Sequence, residues 1–265
     1  LRRCQDHSLV YYQFENLSSQ EHVRHAVFTR LGGTSLPPYD TLNLGRSVGD
    51  TEQAVHENYA RICRELGISR ASLVTGYQVH SDVVAVVGPN ERGNILPTTD
   101  ALVTDSAAIG LTLRFADCVP VLFYDPCRRV IGIAHAGWKG TIDRICSKVI
   151  ATFETVFGSR PADIVAGIGP AIGPCCYQVG EDVVRRVEEA FPYAGDLLLP
   201  QADGSVHFDL WAANRRQLED VGITTIEEAR MCTSCRHDEF FSHRADHGKT
   251  GRFGAFIALG REYIE

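Results

Sequence analysis

Short runs in which apolar residues alternate with polar or small ones fill the first half of the chain, the period-two pattern of strands. They predict strands at Leu9 to Phe14, Ala26 to Thr29, Leu73 to Gln78, Val83 to Val87, Ala101 to Thr104, Gly110 to Leu113, Val119 to Tyr124 and Val130 to His135. Between them the period lengthens. Val55, Tyr59, Ile62 and Leu66 share one face of a helix expected from Thr51 to Leu66, with Asp50 as its N-cap and Gly67 as its stop. A second helix is expected to start near Gly140 or Thr141, to bury Ile142, Ile145, Val149, Phe153 and Val156, and to end at Gly158 and Pro161. Further on, the pattern predicts a strand at Ile164 to Ile168, a helix at Glu181 to Phe191 and a short strand at Val206 to Phe208. A helix over Asp209 to Val221, capped by Asp209, and a closing strand at Phe253 to Leu259 complete the pattern.

Hairpin-like strands mixed with helices favour an α+β fold of mixed sheets flanked by helices. The glycine and proline clusters at Gly32-Gly33, Pro37-Pro38 and Gly167 to Pro174 act as turns inside one domain, because no polar linker or internal repeat divides residues 1–265. Composition agrees: 44% hydrophobic and 22% charged residues are ordinary globular values. A net charge of −7 without a basic stripe argues against a nucleic-acid partner. The longest apolar runs, Val119 to Tyr124 and Val130 to Ala134, are too short to cross a bilayer, and no secretory signal opens the chain. A soluble, cytoplasmic protein is therefore expected, with no membrane partner. Nine cysteines, an odd number in a chain of this length, suit a reducing compartment. The adjacent pair Cys175-Cys176 reads as buried thiols.

Three residues carry candidate chemistry: His80, Cys118 and His135, each where an apolar run gives way to small or turn-forming residues. Two imidazoles and a soft thiolate suit a transition metal such as zinc, with one coordination position open. The separations, 38 residues from His80 to Cys118 and 17 from Cys118 to His135, are too wide for a structural zinc module and fit a catalytic site assembled from separate elements. Other readings use the same residues. The histidines could be hydrogen-bonded strand ends with Cys118 as core filler, or Cys118 could be a histidine-activated nucleophile of a hydrolase. Two histidines and a cysteine are also blue-copper ligands, for which Met231 is the one candidate axial partner. The His-x-His pairs of multicopper oxidases are missing from the sequence.

Substrate-facing candidates cluster nearby. Lys139, in the turn Gly137 to Thr141, and the helix start that follows it could bind an anion, and Arg30, Asn43 and Arg46 of the early polar loop could bind an anion or a sugar hydroxyl. Cys232, Cys235, His243 and His247 resemble a zinc-finger ligand list, but the gap from Cys235 to His243 is too short for a finger. The segment Phe240 to Arg244 is read instead as packing against the main site, with Arg244 facing substrate. Asp117 is either an acid/base group or a partner that orients a histidine.

In order along the chain, Thr29-Arg30-x-Gly32-Gly33-x-Ser35, Leu42-Asn43-Leu44-Gly45, Val48-Gly49-Asp50, Gln78-Val79-His80, Ala116 to Pro120, His135 to Gly140, Gly169-Pro170 with Cys175-Cys176, and Cys232 to Arg244 resemble the laccase-domain family, the YfiH/YlmD-type or multicopper polyphenol oxidase proteins. Ser81 departs from the glycine that many members carry after the histidine. The resemblance implies a layered α/β/β/α fold and a zinc site of His80, Cys118 and His135. It also implies phosphorolysis of adenosine, inosine, guanosine or methylthioadenosine, together with deamination of adenosine. Nucleosides and inorganic phosphate would be the partners. Copper-dependent oxidation of phenols is the alternative attached to the same family.

Overall fold

The alternation seen in the sequence is used by two mixed sheets that face each other. The computed structural model describes residues 1–6 and 8–260; residues 261–265 of the expected domain lie outside the described residues. The chain begins with β1 (Arg2–Asp6), β2 (Leu9–Gln13), α1 (Glu15–Ser18), β3 (Val23–Phe28) and, after a long loop, α2 (Glu52–Leu66). Then come β4 (Leu73–Gly76), β5 (Val84–Val86), β6 (Ile95–Leu96), β7 (Ala101–Thr104), β8 (Gly110–Phe115), β9 (Val119–Asp125) and β10 (Val130–Ala136). The second half supplies α3 (Trp138–Ile142), α4 (Ile145–Phe157), β11 (Val165–Ile168), β12 (Gln178–Val179), α5 (Glu181–Ala190) and α6 (Ala194–Leu197). It closes with β13 (Leu198–Pro200), β14 (Val206–Phe208), α7 (Leu210–Asp220), β15 (Thr225–Glu228) and β16 (Phe253–Leu259).

One sheet has the order β1-β2-β3-β16-β8-β4-β6, the other β15-β11-β9-β10-β7-β5, and β12-β14-β13 form a small third sheet. Strand periodicity then builds the layers. Leu111, Leu113 and Phe115 of β8 and Phe253, Ala255 and Ile257 of β16 pack against Leu122 and Tyr124 of β9 and Ile131 and Ile133 of β10, filling the space between the sheets. The alternate residues face outward. Val121 and Phe123 with Val130 and Ala134 pack under helices α4, α5 and α7, and Phe256 and Ala258 pack under Val55, Tyr59 and Ile62 of α2. The result is the α/β/β/α layering. His135 shares the inward-facing parity of Ile131 and Ile133, so the register that buries those two side chains also aims the histidine between the sheets.

β7, β14 and β16 match the expected strands end to end. Other boundaries differ for identifiable reasons. Thr51, not Asp50, caps α2 by accepting from the Ala54 N–H, because the Asp50 carboxylate is engaged by Ser35 and Asn43. The helix expected as one piece after His135 is broken into α3 and α4 at Arg144, whose left-handed φ of 61° accompanies a side-chain bond to the Ala190 carbonyl. Val156, expected on the buried face, is 55% exposed. Strands β1 and β15 carry no apolar alternation and exist through backbone pairing at sheet edges, where side chains need not be buried. Among the described residues, no helix is long and apolar enough to cross a membrane.

Leu122 is fully buried between the sheets, whereas Val156 is mostly exposed. Leu122→Ala should cost about 2–5 kcal/mol of unfolding free energy in denaturant melts, and Val156→Ala within about 0.5 kcal/mol of none. Equal losses would contradict the layer assignment.

Candidate metal centre

Each of the three candidate ligands arrives by a different structural device. β4 ends at Gly76, where an added Cβ would lie 2.1 Å from the Thr99 carbonyl oxygen, so only glycine lets the two segments approach this closely. Beyond it the chain peels away from β8, and the Gln78 side chain takes over the pairing, accepting from the Arg114 N–H and donating to the Arg114 carbonyl. His80 follows in the left-handed region at φ 61°, a conformation that costs a non-glycine residue about 1–2 kcal/mol. Cys118 lies in the crossover from β8 of one sheet to β9 of the other, just after Asp117 at φ 84°. His135 stands near the end of β10, against the Phe115 ring at 5.4 Å.

The donor atoms of His80, Cys118 and His135 all lie within 4.8 Å of one another. His80 is exposed, Cys118 half-buried and His135 buried, so the cluster opens on one side. Gly137 leaves room for it: a Cβ there would stand 3.0 Å from both the Cys118 Sγ and the His80 ring. Two nitrogens and a sulfur at this spacing can hold a transition metal ion.

The residue that organises the site, Asp100, carried no distinguishing mark in the sequence beyond being an acid just before an apolar strand. It is fully buried, and its carboxylate accepts from the main-chain N–H groups of Val79, His80 and Ser81, from the Ser81 hydroxyl, and from His135 Nδ1 at 2.8 Å. A carboxylate can only accept, so Nδ1 keeps its proton and Nε2 is the nitrogen left for a metal once it has given up its own. Burial alone would raise the Asp100 pKa, but the hydrogen bond and charge of His135 and the bonds from Ser81 bring it down to about 2. Burial likewise opposes charge on Cys118 and His135. Their mutual attraction overcomes it, pushing the thiol down and the imidazole up, with His80 helping the former and Asp100 the latter.

Asp117 does not orient a histidine. One of its carboxylate oxygens accepts from the Thr233 hydroxyl at 2.6 Å and the other from the Arg244 N–H at 2.7 Å, which ties the segment after β15 to the Cys118 crossover. Orientation of the histidine falls to Asp100.

A cleft of about 820 Å³ opens over the trio. Of the candidate residues, Arg46, Asp117 and Arg244 line it; Lys139, Arg30 and Asn43 are not among its lining residues. Lys139 is exposed and lies over the Trp138 ring. Arg30 is buried and bonded to the carbonyls of Asp40 and His237. Asn43 accepts from the main chain of Gly45 and Arg252 and is itself held under Asn58, so the early loop is a brace for the cleft wall. Two arginines unsuspected from sequence, Arg114 and Arg252, do line the cleft. Burial lowers the pKa of the Arg252 guanidinium, Cys118 and Asp117 pull it back up, and Arg114 lowers it further. Tyr77, Trp138 and Tyr177 add aromatic surface, and His243 joins them while His247 is not a lining residue.

Two outcomes test this geometry. Asp100→Asn should weaken zinc binding about 10–100-fold in chelator competition, because the amide cannot hold His135 and the three N–H groups together; unchanged affinity would remove Asp100 from the metal centre. Metal entry must also displace the proton that the raised His135 carries. Zinc affinity should therefore climb about tenfold per unit between about pH 6 and 8, and a flat profile would contradict the protonated His135.

The profile of the family described as multi-copper polyphenol oxidoreductase laccase matches residues 24–260. The purine nucleoside phosphorylase YlmD of Geobacillus stearothermophilus is 39% identical over 245 residues, 89% of each chain. A purine nucleoside phosphorylase of Bacteroides thetaiotaomicron is 35% identical, covering 93% of this chain and 95% of its own. The crystal structure of the Geobacillus stearothermophilus YlmD superposes with a TM-score of 0.91 at 35% identity over 97% of each chain. That of the Bacillus licheniformis hypothetical protein YfiH does so at 0.89 and 39%, over 96% of this chain and 97% of that one. Fold, sequence and the order of the motifs agree: the chain belongs to the YfiH/YlmD-type, laccase-like family.

Proposed function

We propose that this protein is a zinc-dependent purine nucleoside phosphorylase that converts adenosine, inosine, guanosine or methylthioadenosine and phosphate to the free base and the sugar 1-phosphate, and that also deaminates adenosine. The observation that carries the reading is a cleft in which the His80, Cys118 and His135 cluster, four arginines and three aromatic rings converge. The names of the relatives support it.

Phosphorolysis breaks the bond between C1′ of the sugar and N9 of the base as an oxygen of phosphate bonds to C1′. Positive charge builds on the sugar, and the phosphate must be held next to it. Arg46, Arg114, Arg244 and Arg252 are the groups for this task. Three of them are steadied by main-chain carbonyls: Arg114 by Gly76, Arg244 by Cys176 and Gln178, and Arg252 by Thr250 and Gly251. A guanidinium has five N–H donors, so such anchoring leaves others for an anion. Tyr77, Trp138 and Tyr177 offer ring faces for a flat purine, and Ile172 and Leu210 offer apolar contact. His80, Cys118 and His135 would hold the zinc, whose Lewis acidity stabilises negative charge developing on the reacting nucleoside.

Copper-dependent phenol oxidation is the second reading, favoured by the family description and by a donor set that copper also accepts. Against it, Met231 packs on the inter-sheet core and does not line the cleft, so it is no axial partner. A hydrolase built on Cys118 would need one histidine, and the cluster holds two.

Protein purified without added metal should contain zinc and should release adenine from adenosine only when phosphate is present, with inosine formed in either condition. Neither product from zinc-loaded protein, alongside phenol oxidation by copper-loaded protein, would sink the proposal. Arg46 is exposed at the cleft, so Arg46→Ala should leave the fold intact. It should lower kcat/KM for phosphate by about 10-fold or more, the worth of a hydrogen bond to a charged group.

A further inference from the structure

Apart from the cleft cluster, four other cysteines meet. The Sγ atoms of Cys175, Cys176, Cys232 and Cys235 all lie within 4.8 Å of one another, although the two pairs are almost 60 residues apart in the chain. Cys175 and Cys176 belong to the loop after β11, and Cys232 and Cys235 to the turn after β15. An isolated bridge between Ala171 and Cys232, with the bond from the Thr233 N–H to the Ala171 carbonyl, sets the two segments side by side. Cys175 and Cys235 are exposed and Cys176 is half-buried, which corrects the expectation of buried thiols: cysteines used as core filler are enclosed, and these are not.

We propose that these four residues form a second metal site, a closed tetrathiolate that takes zinc in a structural role. Cys235 Sγ stands 3.5 Å from Cys175 Sγ and 3.4 Å from Cys176 Sγ. A tetrahedron with zinc–sulfur bonds of about 2.3 Å has edges of about 3.8 Å, so these separations lie a few tenths of an ångström from a ligand shell and far from the roughly 2.05 Å of a disulfide. Cys232-x-x-Cys235 has the spacing of a zinc knuckle. The Gly173 N–H donates to Cys232 Sγ at 3.2 Å, the kind of outer bond that steadies a thiolate ligand. His243 and His247, the histidines of the finger-like ligand list, are not members of the cluster.

The position gives this zinc a mechanical task. The first segment continues into Ile172 and Tyr177, and the second into His243 and Arg244, all of them cleft-lining residues. Thr233, between the two cysteines of the knuckle, holds Asp117 beside Cys118. A metal that joins the segments would therefore brace one wall of the cleft without touching substrate.

This site shares no ligand with the catalytic proposal and can fail separately from it. Intact protein loaded with zinc alone should bind two equivalents, Cys118→Ala one, and the double variant Cys232→Ser, Cys235→Ser one. Cobalt in Cys118→Ala should give the intense sulfur-to-metal absorption of a tetrathiolate, and Cys175→Ser, a change at an exposed position, should weaken that band if the double variant does not fold. Thermal melts should show zinc raising the Tm of Cys118→Ala but not of the double variant. A single equivalent in the unaltered protein that Cys118→Ala abolishes, or a disulfide among these cysteines in zinc-replete protein, would overturn the proposal.

Discussion

The Asp100 carboxylate is the constraint on which the rest of the centre depends. Its five hydrogen bonds join three kinds of structure: the hooked chain from Val79 to Ser81, the ring of His135 on β10, and the turn just before β7 that carries Asp100 itself. His80 can occupy a left-handed conformation because consecutive N–H groups around it converge on one buried anion. Fully enclosed, that charge has no water to solvate it, so the loop and the imidazole take over its solvation. The same contact sets the tautomer of His135. One buried acid thereby places two of the three ligands.

The sheets supply the remaining geometry. Cys118 occupies the crossover between them, and His135 points into the layer between them, so the centre lies at one end of the inter-sheet core. The polar end opens into the cleft, and the apolar remainder holds it rigid. Asp117, the neighbour of Cys118, extends this support to the opposite wall through Thr233 and Arg244. The four-cysteine cluster joins the two segments that supply Ile172, Tyr177, His243 and Arg244 to that wall.

The family's description speaks of several coppers, but among the described residues the cleft gathers a single cluster of two imidazoles and one thiolate. Around it lie four guanidinium groups and aromatic rings, an environment suited to an anion and a flat base. That surrounding chemistry, more than the donor set, is what the nucleoside proposal rests on.

Much was legible along the chain. Strands such as β7 and β16 and the buried face of α2 follow from periodicity, because a side chain's parity decides which layer it enters. His80, Cys118 and His135 stood out as candidate ligands because each interrupts an apolar run with a group that can bind a metal. The sequence by itself thus determined which side chains could reach the core and which carried metal-binding atoms. Only the tertiary structure decided their partners. Asp100 acquired its role, Arg114 and Arg252 entered the cleft, Arg30, Asn43 and Lys139 stayed outside its lining, and four distant cysteines met. Such assignments depend on contacts between segments tens of residues apart, and local spacing carries no record of how two sheets will face each other.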